Sequence, residues 1–174
     1  YGYVGFSLSV VQYLIIIVDF GFNLSATKRI AVVANDRIAL SHVFWNVVAA
    51  KLLLMFLTTL ALLILVVCIP TFRLYGNAII ATYPMLLGSA LTFIWFFQGI
   101  GRIRLFSIMN TVSKIALLPL IFVFIQSPDD YVVAALLQAV VFVCTAIISN
   151  IYVARQRLVE WIRPTWKLVK EELH

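Results

Sequence analysis

Five apolar runs, each close to 20 residues and almost free of charge, decide what this chain can become. At about 1.5 Å of rise per residue, a helix of that length matches the roughly 30 Å hydrocarbon core of a bilayer. Lipid offers the backbone no hydrogen bonds, so a crossing segment must be a helix or part of a closed barrel. The runs are continuous and not alternating, which selects helices. The chain is 64% hydrophobic and 11% charged, against about 45–50% and about 25% in soluble domains. A soluble core of 174 residues could not hide that much apolar side chain. The fold class is therefore all-α, a polytopic transmembrane helix bundle.

The expected spans are 3–34, 42–69, 78–101, 105–126 and 131–153. Asn35 and Asp36 read as a turn, Ser41 as an N-cap of the second span, and 126–130 as a turn. Pro84, Gly88 and Ser89 fall inside the third span, where Gly88, Thr92 and Gly99 allow close helix approach. Residues 154–174 read as a cytoplasmic amphipathic segment, with Trp166, Val169 and Leu173 on one side and charges elsewhere.

The net charge of +6 finds its explanation in topology and does not call for nucleic acid. If the links alternate sides, one side holds Lys28, Arg29, Arg37, Arg102, Arg104, Arg155, Arg157, Arg163, Lys167 and Lys170. The other side holds Arg73 alone. This asymmetry places the richer side in the cytoplasm. The sequence starts at Tyr1 without Met and shows no signal peptide, and it reads as part of a longer protein.

Polar residues inside the spans are the functional candidates, because burying them in lipid is costly. Asp19, Asn23 and Thr27 follow one another at steps of four and would share a helix face. The stripe serves either helix packing or one wall of a transport path. Lys51 is either a lysine snorkelling to the interface or a cation facing a cavity. Ser107, Asn110, Thr111 and Lys114 occupy one face of the fourth span. Lys114 lies more centrally, where it would meet either a helix neighbour or a phosphate or carboxylate. Gln138, Thr145, Ser149 and Tyr152 trace a polar stripe on the fifth span. Cys68 and Cys144 read as packing residues. No nucleotide loop, metal cluster or nucleophile–base pair is visible, so no catalytic, cofactor or metal site is expected.

Two strings carry a family likeness. Asp19–Lys28, extended through Arg29, Ile30 and Ala31 (DFGFNLSATKRIA), resembles the second-span signature of the Wzx-type O-antigen flippases. These belong to the multidrug/oligosaccharidyl-lipid/polysaccharide exporter superfamily. Trp95-Phe96-Phe97-Gln98-Gly99-Ile100 resembles the fourth-span signature of the same family, and it alone raises Gln98 to a candidate. The resemblance implies a MATE-like transporter of twelve spans in two six-helix lobes. The five spans here would be the second to sixth, and the tail the link between lobes.

It further implies flipping of an undecaprenyl-diphosphate-linked oligosaccharide, an O-antigen or other repeat unit, across the bacterial inner membrane. The partners would be that substrate, membrane lipids, the second lobe and polysaccharide polymerase or assembly proteins. The chain would not be an enzyme. The substrate-path candidates are Lys51, Lys114, Asp19, Asn23, Asn110 and Gln98. Alternatives are a cation-coupled multidrug antiporter, a glycan polymerase or ligase, and a membrane scaffold. Span lysines outnumber span carboxylates by two to one, which leans toward an anionic substrate.

Overall fold

The computed structural model describes residues 2–19, 21–125 and 130–164. Among them the regular structure is entirely helical. Five stretches are long and apolar enough to cross a membrane, Gly5–Val33, Arg37–Cys68, Gly76–Gly99, Ile103–Phe124 and Val132–Arg155. Two of the five are broken within the bilayer-spanning length, and those breaks position the polar groups.

The first stretch was expected as one helix over 3–34. It is two, α1 (Gly2–Val18) and α2 (Phe22–Val33). Gly21 turns the chain with φ 75, a left-handed conformation open to glycine at little cost. Asp19 ends α1 by donating its N–H to the Ile15 carbonyl at 2.8 Å, and the Phe22 N–H returns to the Asp19 carbonyl at 3.0 Å. Asp19 and Asn23 therefore do not share one continuous helix face.

The second stretch is a single helix, α3 (Arg37–Cys68), starting five residues earlier than expected. Asp36 is its N-cap, its Oδ1 accepting from the Ile38 and Ala39 N–H groups at 3.0 and 3.1 Å. Ser41 is not the cap. It is buried inside the helix and donates to the Arg37 carbonyl at 2.7 Å. The earlier start moves Lys51 to about four turns from the helix N-terminus. The lipid-facing side of α3 keeps Phe56, Leu57, Leu60, Leu63 and Val67 exposed.

After the short helix α4 (Pro70–Leu74), the third stretch comprises α5 (Gly76–Thr82), α6 (Pro84–Ala90) and α7 (Ile94–Gly99). Pro84 sits at a helix start, the one place where its missing N–H costs nothing. Leu91, Thr92 and Phe93 separate α6 from α7. The last two spans are α8 (Ile103–Phe124) and α9 (Tyr131–Arg155).

Two glycines set how closely these helices approach. A Cβ on Gly88 would lie 2.6 Å from the Phe142 backbone carbon of α9. One on Gly99 would lie 2.6 Å from Ile30 Cβ and 3.0 Å from the Thr27 carbonyl oxygen of α2. The two strings that carry the family likeness thus pack on each other, helix against helix. Phe22, Ala26 and Ile30, at four-residue steps, form the buried face of α2. Thr27 adds a polar clasp: its hydroxyl lies 2.6 Å from the Asn23 carbonyl, 3.1 Å from that of Trp95, and 3.4 Å from Gln98 Oε1.

The apolar interior divides in two. One cluster joins Phe22, Ala26, Ile30, Phe44, Val47, Phe93, Trp95, Phe96, Phe97 and Val153. The other joins Val11, Leu14, Val18, Leu62, Ile79, Met85, Leu86 and Ala139. Both helix breaks, at 19–21 and 91–93, fall where one cluster gives way to the other.

Residues 156–164 carry no regular secondary structure. They dock on the start of α3. Ser41 Oγ accepts from the Glu160 N–H at 2.8 Å, and Trp45 Nε1 donates to the Glu160 carbonyl at 2.8 Å. Trp45 and Trp161 meet edge to face at 4.3 Å. The expected amphipathic helix around Trp166, Val169 and Leu173 and the turn at 126–129 lie outside the described residues.

Candidate functional site

The six candidates fall into three pairs. The first is Asp19 with Lys51. Lys51 Nζ lies 2.7 Å from Asp19 Oδ1 and donates to the Ser89 carbonyl at 3.4 Å. Ser89 Oγ donates to Asp19 Oδ2, also at 3.4 Å. The Lys51 side chain is 2% exposed and that of Asp19 25%. The lysine neither snorkels nor faces open space. It lies between the two apolar clusters and neutralises the carboxylate at the break of the first span.

This arrangement also meets a backbone need. Breaking a membrane helix strands carbonyl groups that water cannot reach. At the α6–α7 break, the Ser89 carbonyl accepts from the Thr92 N–H at 3.2 Å and from Lys51 besides, and Asn150 Nδ2 of α9 donates to the Leu91 carbonyl at 3.0 Å. Thr92 Oγ1 donates to the Gly88 carbonyl at 2.6 Å. Asn150 was not singled out from sequence. It follows Ser149 in an apolar helix, and nothing local marks it as a partner for a carbonyl 59 residues away.

The second pair is Asn23 with Gln98, linked through the Thr27 hydroxyl. Asn23 contributes its backbone carbonyl there, and both residues are exposed.

The third pair, Asn110 and Lys114 of α8, lines a cavity of about 410 Å³. Opposite them stand Gln138, Val141, Phe142 and Thr145 of α9, with Gln12 of α1 and Thr92 of the α6–α7 break completing the wall. The cavity therefore offers one ammonium, three carboxamides and two hydroxyls beside Met85, Phe106 and Phe142. Lys114 is exposed to this space. A second groove of about 360 Å³ begins at the same Lys114, Gln138 and Val141 and is otherwise apolar, lined by Leu117, Leu118, Ile121, Ile125, Ala134 and Leu137. Lys114 stands at the junction of a polar cavity and an apolar groove. Such a junction suits an amphiphile with an anionic head. Among the described residues, no group of three or more His, Cys, Asp and Glu is placed to hold a metal ion.

Broken spans, a buried ion pair and a cationic polar cavity open beside a lipid-like groove define a multi-pass helical membrane protein. Residues 1–171 match the polysaccharide biosynthesis protein family, and the chain belongs to it. It is 30% identical over 139 residues to a protein of Escherichia coli (strain K12) named "Putative O-antigen transporter". That alignment covers 80% of this chain and 34% of the relative. A Shigella dysenteriae protein of the same name is 31% identical over 146 residues, covering 84% of this chain and 36% of the relative. The chain spans about a third of the length of these curated relatives. No solved structure matches.

Proposed function

We propose that the protein containing this chain moves a lipid-linked oligosaccharide, carried on a polyprenyl diphosphate, from the inner to the outer leaflet of a bacterial inner membrane. The observation that carries this reading is the position of Lys114 between the polar cavity and the apolar groove. A diphosphate and its sugars cannot cross hydrocarbon unaided, because stripping water from them costs too much. In this reading the Lys114 ammonium receives the phosphate. Asn110, Gln138, Gln12 and Thr92 replace water around the sugars. The lipid chain stays beside Leu117, Leu118 and Ile121, in continuity with the bilayer. The family and the names of both relatives support a polysaccharide substrate.

Lys51 and Asp19 have a different role in this account. They join the two broken spans beside the cavity, since Ser89 lies between the cavity-lining Met85 and Thr92. Alternating access in transporters of this kind proceeds by rocking of packed helix groups about a central site. The pair holds one such packing. A multidrug antiporter would need a carboxylate free to meet a cationic drug, and Asp19 is already paired. No step in this reading forms or breaks a covalent bond, so the protein acts as a transporter and not an enzyme. A second lobe of the same protein would complete the path, with polymerase or assembly proteins taking up the product.

The test is deletion of the full-length gene. Lipid-linked oligosaccharide should accumulate on the cytoplasmic leaflet while surface polysaccharide disappears, and the intact gene should restore both. Altered drug sensitivity without accumulation would contradict the reading.

A further inference from the structure

A second polar cavity of about 410 Å³, sharing no lining residue with the Lys114 cavity, opens at the end of the bundle that carries most of the basic links. Three arginines from three separate links converge on it: Arg37 at the start of α3, Arg102 before α8, and Arg157 after α9. Asn35 joins them, and Phe96 and Leu158 form part of the floor. Like charges gathered at one cavity repel unless an anion answers them. Arg37 has Glu160 at 3.4 Å, both about half exposed. Among the described residues no carboxylate lies within ion-pair distance of Arg102 or Arg157. Asp36, next along the chain, is turned into the cap of α3. Among the described residues the guanidinium charges of Arg102 and Arg157 are therefore unmatched.

The backbone gives a second, independent sign. Helices α7 and α9 end in the same way. The Arg102 N–H returns to the Phe97 carbonyl at 2.8 Å and the Gly101 N–H to that of Gln98 at 3.0 Å. At the end of α9, Leu158 returns to Val153 at 3.2 Å and Arg157 to Ala154 at 3.1 Å. This double closure puts one residue in the left-handed region, usually glycine. In α7 it is Gly101, φ 70; in α9 it is Arg157, φ 48. Arg157 is the non-glycine residue with positive φ among the described residues. A side chain stands where its absence would be easier, and that side chain lines the cavity. A general excess of positive charge on the cytoplasmic side calls for neither the convergence nor the strained position.

We propose that Arg37, Arg102 and Arg157 form a phosphate-binding pocket at the cytoplasmic face, separate from the Lys114 cavity. Its ligand is a phosphate or diphosphate group, borne on a lipid at the membrane surface or free in solution. Planar guanidinium groups suit such oxyanions through paired N–H donors. The pocket requires no transport, so it stands or falls separately from the function proposed above.

The test uses the full-length protein in phosphatidylcholine nanodiscs. Binding of inorganic pyrophosphate is measured by calorimetry, and retention of phosphatidic acid doped into the discs by native mass spectrometry. Wild type is compared with Arg102→Gln, Arg157→Gly and Arg104→Gln, the last an exposed arginine in the first turn of α8 that does not line the cavity. The pocket predicts about tenfold weaker binding of the retained probe in the first two variants. It predicts a change within about twofold for Arg104→Gln, where only diffuse surface charge is lost. Arg157→Gly relieves the left-handed strain, so its melting temperature should hold or rise while binding falls. Retention of phosphatidic acid identifies a lipid headgroup site, and binding of pyrophosphate alone identifies a site for free phosphate. Binding of neither probe, or equal loss in Arg104→Gln, overturns the proposal.

Discussion

Lys51 Nζ stands 2.7 Å from Asp19 Oδ1, joining two residues 32 positions apart at a point where the lysine is almost wholly buried. The contact changes the charge balance on which an anionic substrate was first inferred. Among the described residues, two span lysines against one span carboxylate become one neutral pair and one cation without an ion-pair partner, Lys114.

Removing one member of a buried pair leaves the other uncompensated, at about 3–5 kcal/mol. The two sides are unequal here, with Lys51 at 2% exposure and Asp19 at 25%. Asp19→Ala should therefore destabilise the full-length protein more than Lys51→Met, since water can reach the orphaned carboxylate and not the orphaned ammonium. The double variant Lys51→Met/Asp19→Leu should recover most of the loss. Thermal melts in detergent read all three, and simply additive losses would show that the pair is not coupled.

Gly88 and Gly99 should each resist alanine, in that order of severity. The added Cβ at Gly88 meets backbone of α9, which can yield only if the helix moves. At Gly99 it meets the Ile30 side chain, together with one carbonyl oxygen. Overpacking of this kind costs about 1–3 kcal/mol, more where backbone must shift. Melting temperatures of Gly88→Ala and Gly99→Ala check the order. Tolerance of Gly88→Ala would show that α6 and α9 are not in close contact.

Asn150→Leu should cost about 1–3 kcal/mol, because it leaves the Leu91 carbonyl at the helix break without its donor. Asn150→Asp should not rescue it, since an ionised carboxylate has no N–H to give. Stability of the two variants decides whether the break depends on that hydrogen bond.

The five spans were legible in the sequence because length and apolarity alone define a crossing. What lay inside them was less so. Gly21 sits among apolar neighbours, and nothing nearby shows that it would take a left-handed φ and split the first span. Pro84 and Gly88 marked the third span as irregular, yet its deeper break at Leu91–Phe93 carries neither proline nor glycine. Ser41 suited a cap by type, but Asp36 lay five residues upstream with the better acceptor. Asn110 and Lys114 could be placed on one face by helical spacing. Their meeting with Gln12, Gln138 and Thr145 required knowing which helices are neighbours, and spacing within one helix cannot tell that. The WFFQGI string pointed to Gln98, whereas the close contact that it makes runs through Gly99 and Ile30.

The central claim is that the two lysines do different work, Lys51 holding the fold and Lys114 meeting the substrate. The most direct measurement places the full-length protein in vesicles with a fluorescent polyprenyl-diphosphate oligosaccharide and follows its passage between leaflets. Lys114→Gln should slow passage by about tenfold or more, the loss expected for one charge-assisted contact to phosphate, at an unchanged melting temperature. Lys114→Arg should retain much of the rate. Passage at the wild-type rate in Lys114→Gln, or a loss that merely follows a fall in melting temperature, would contradict the account.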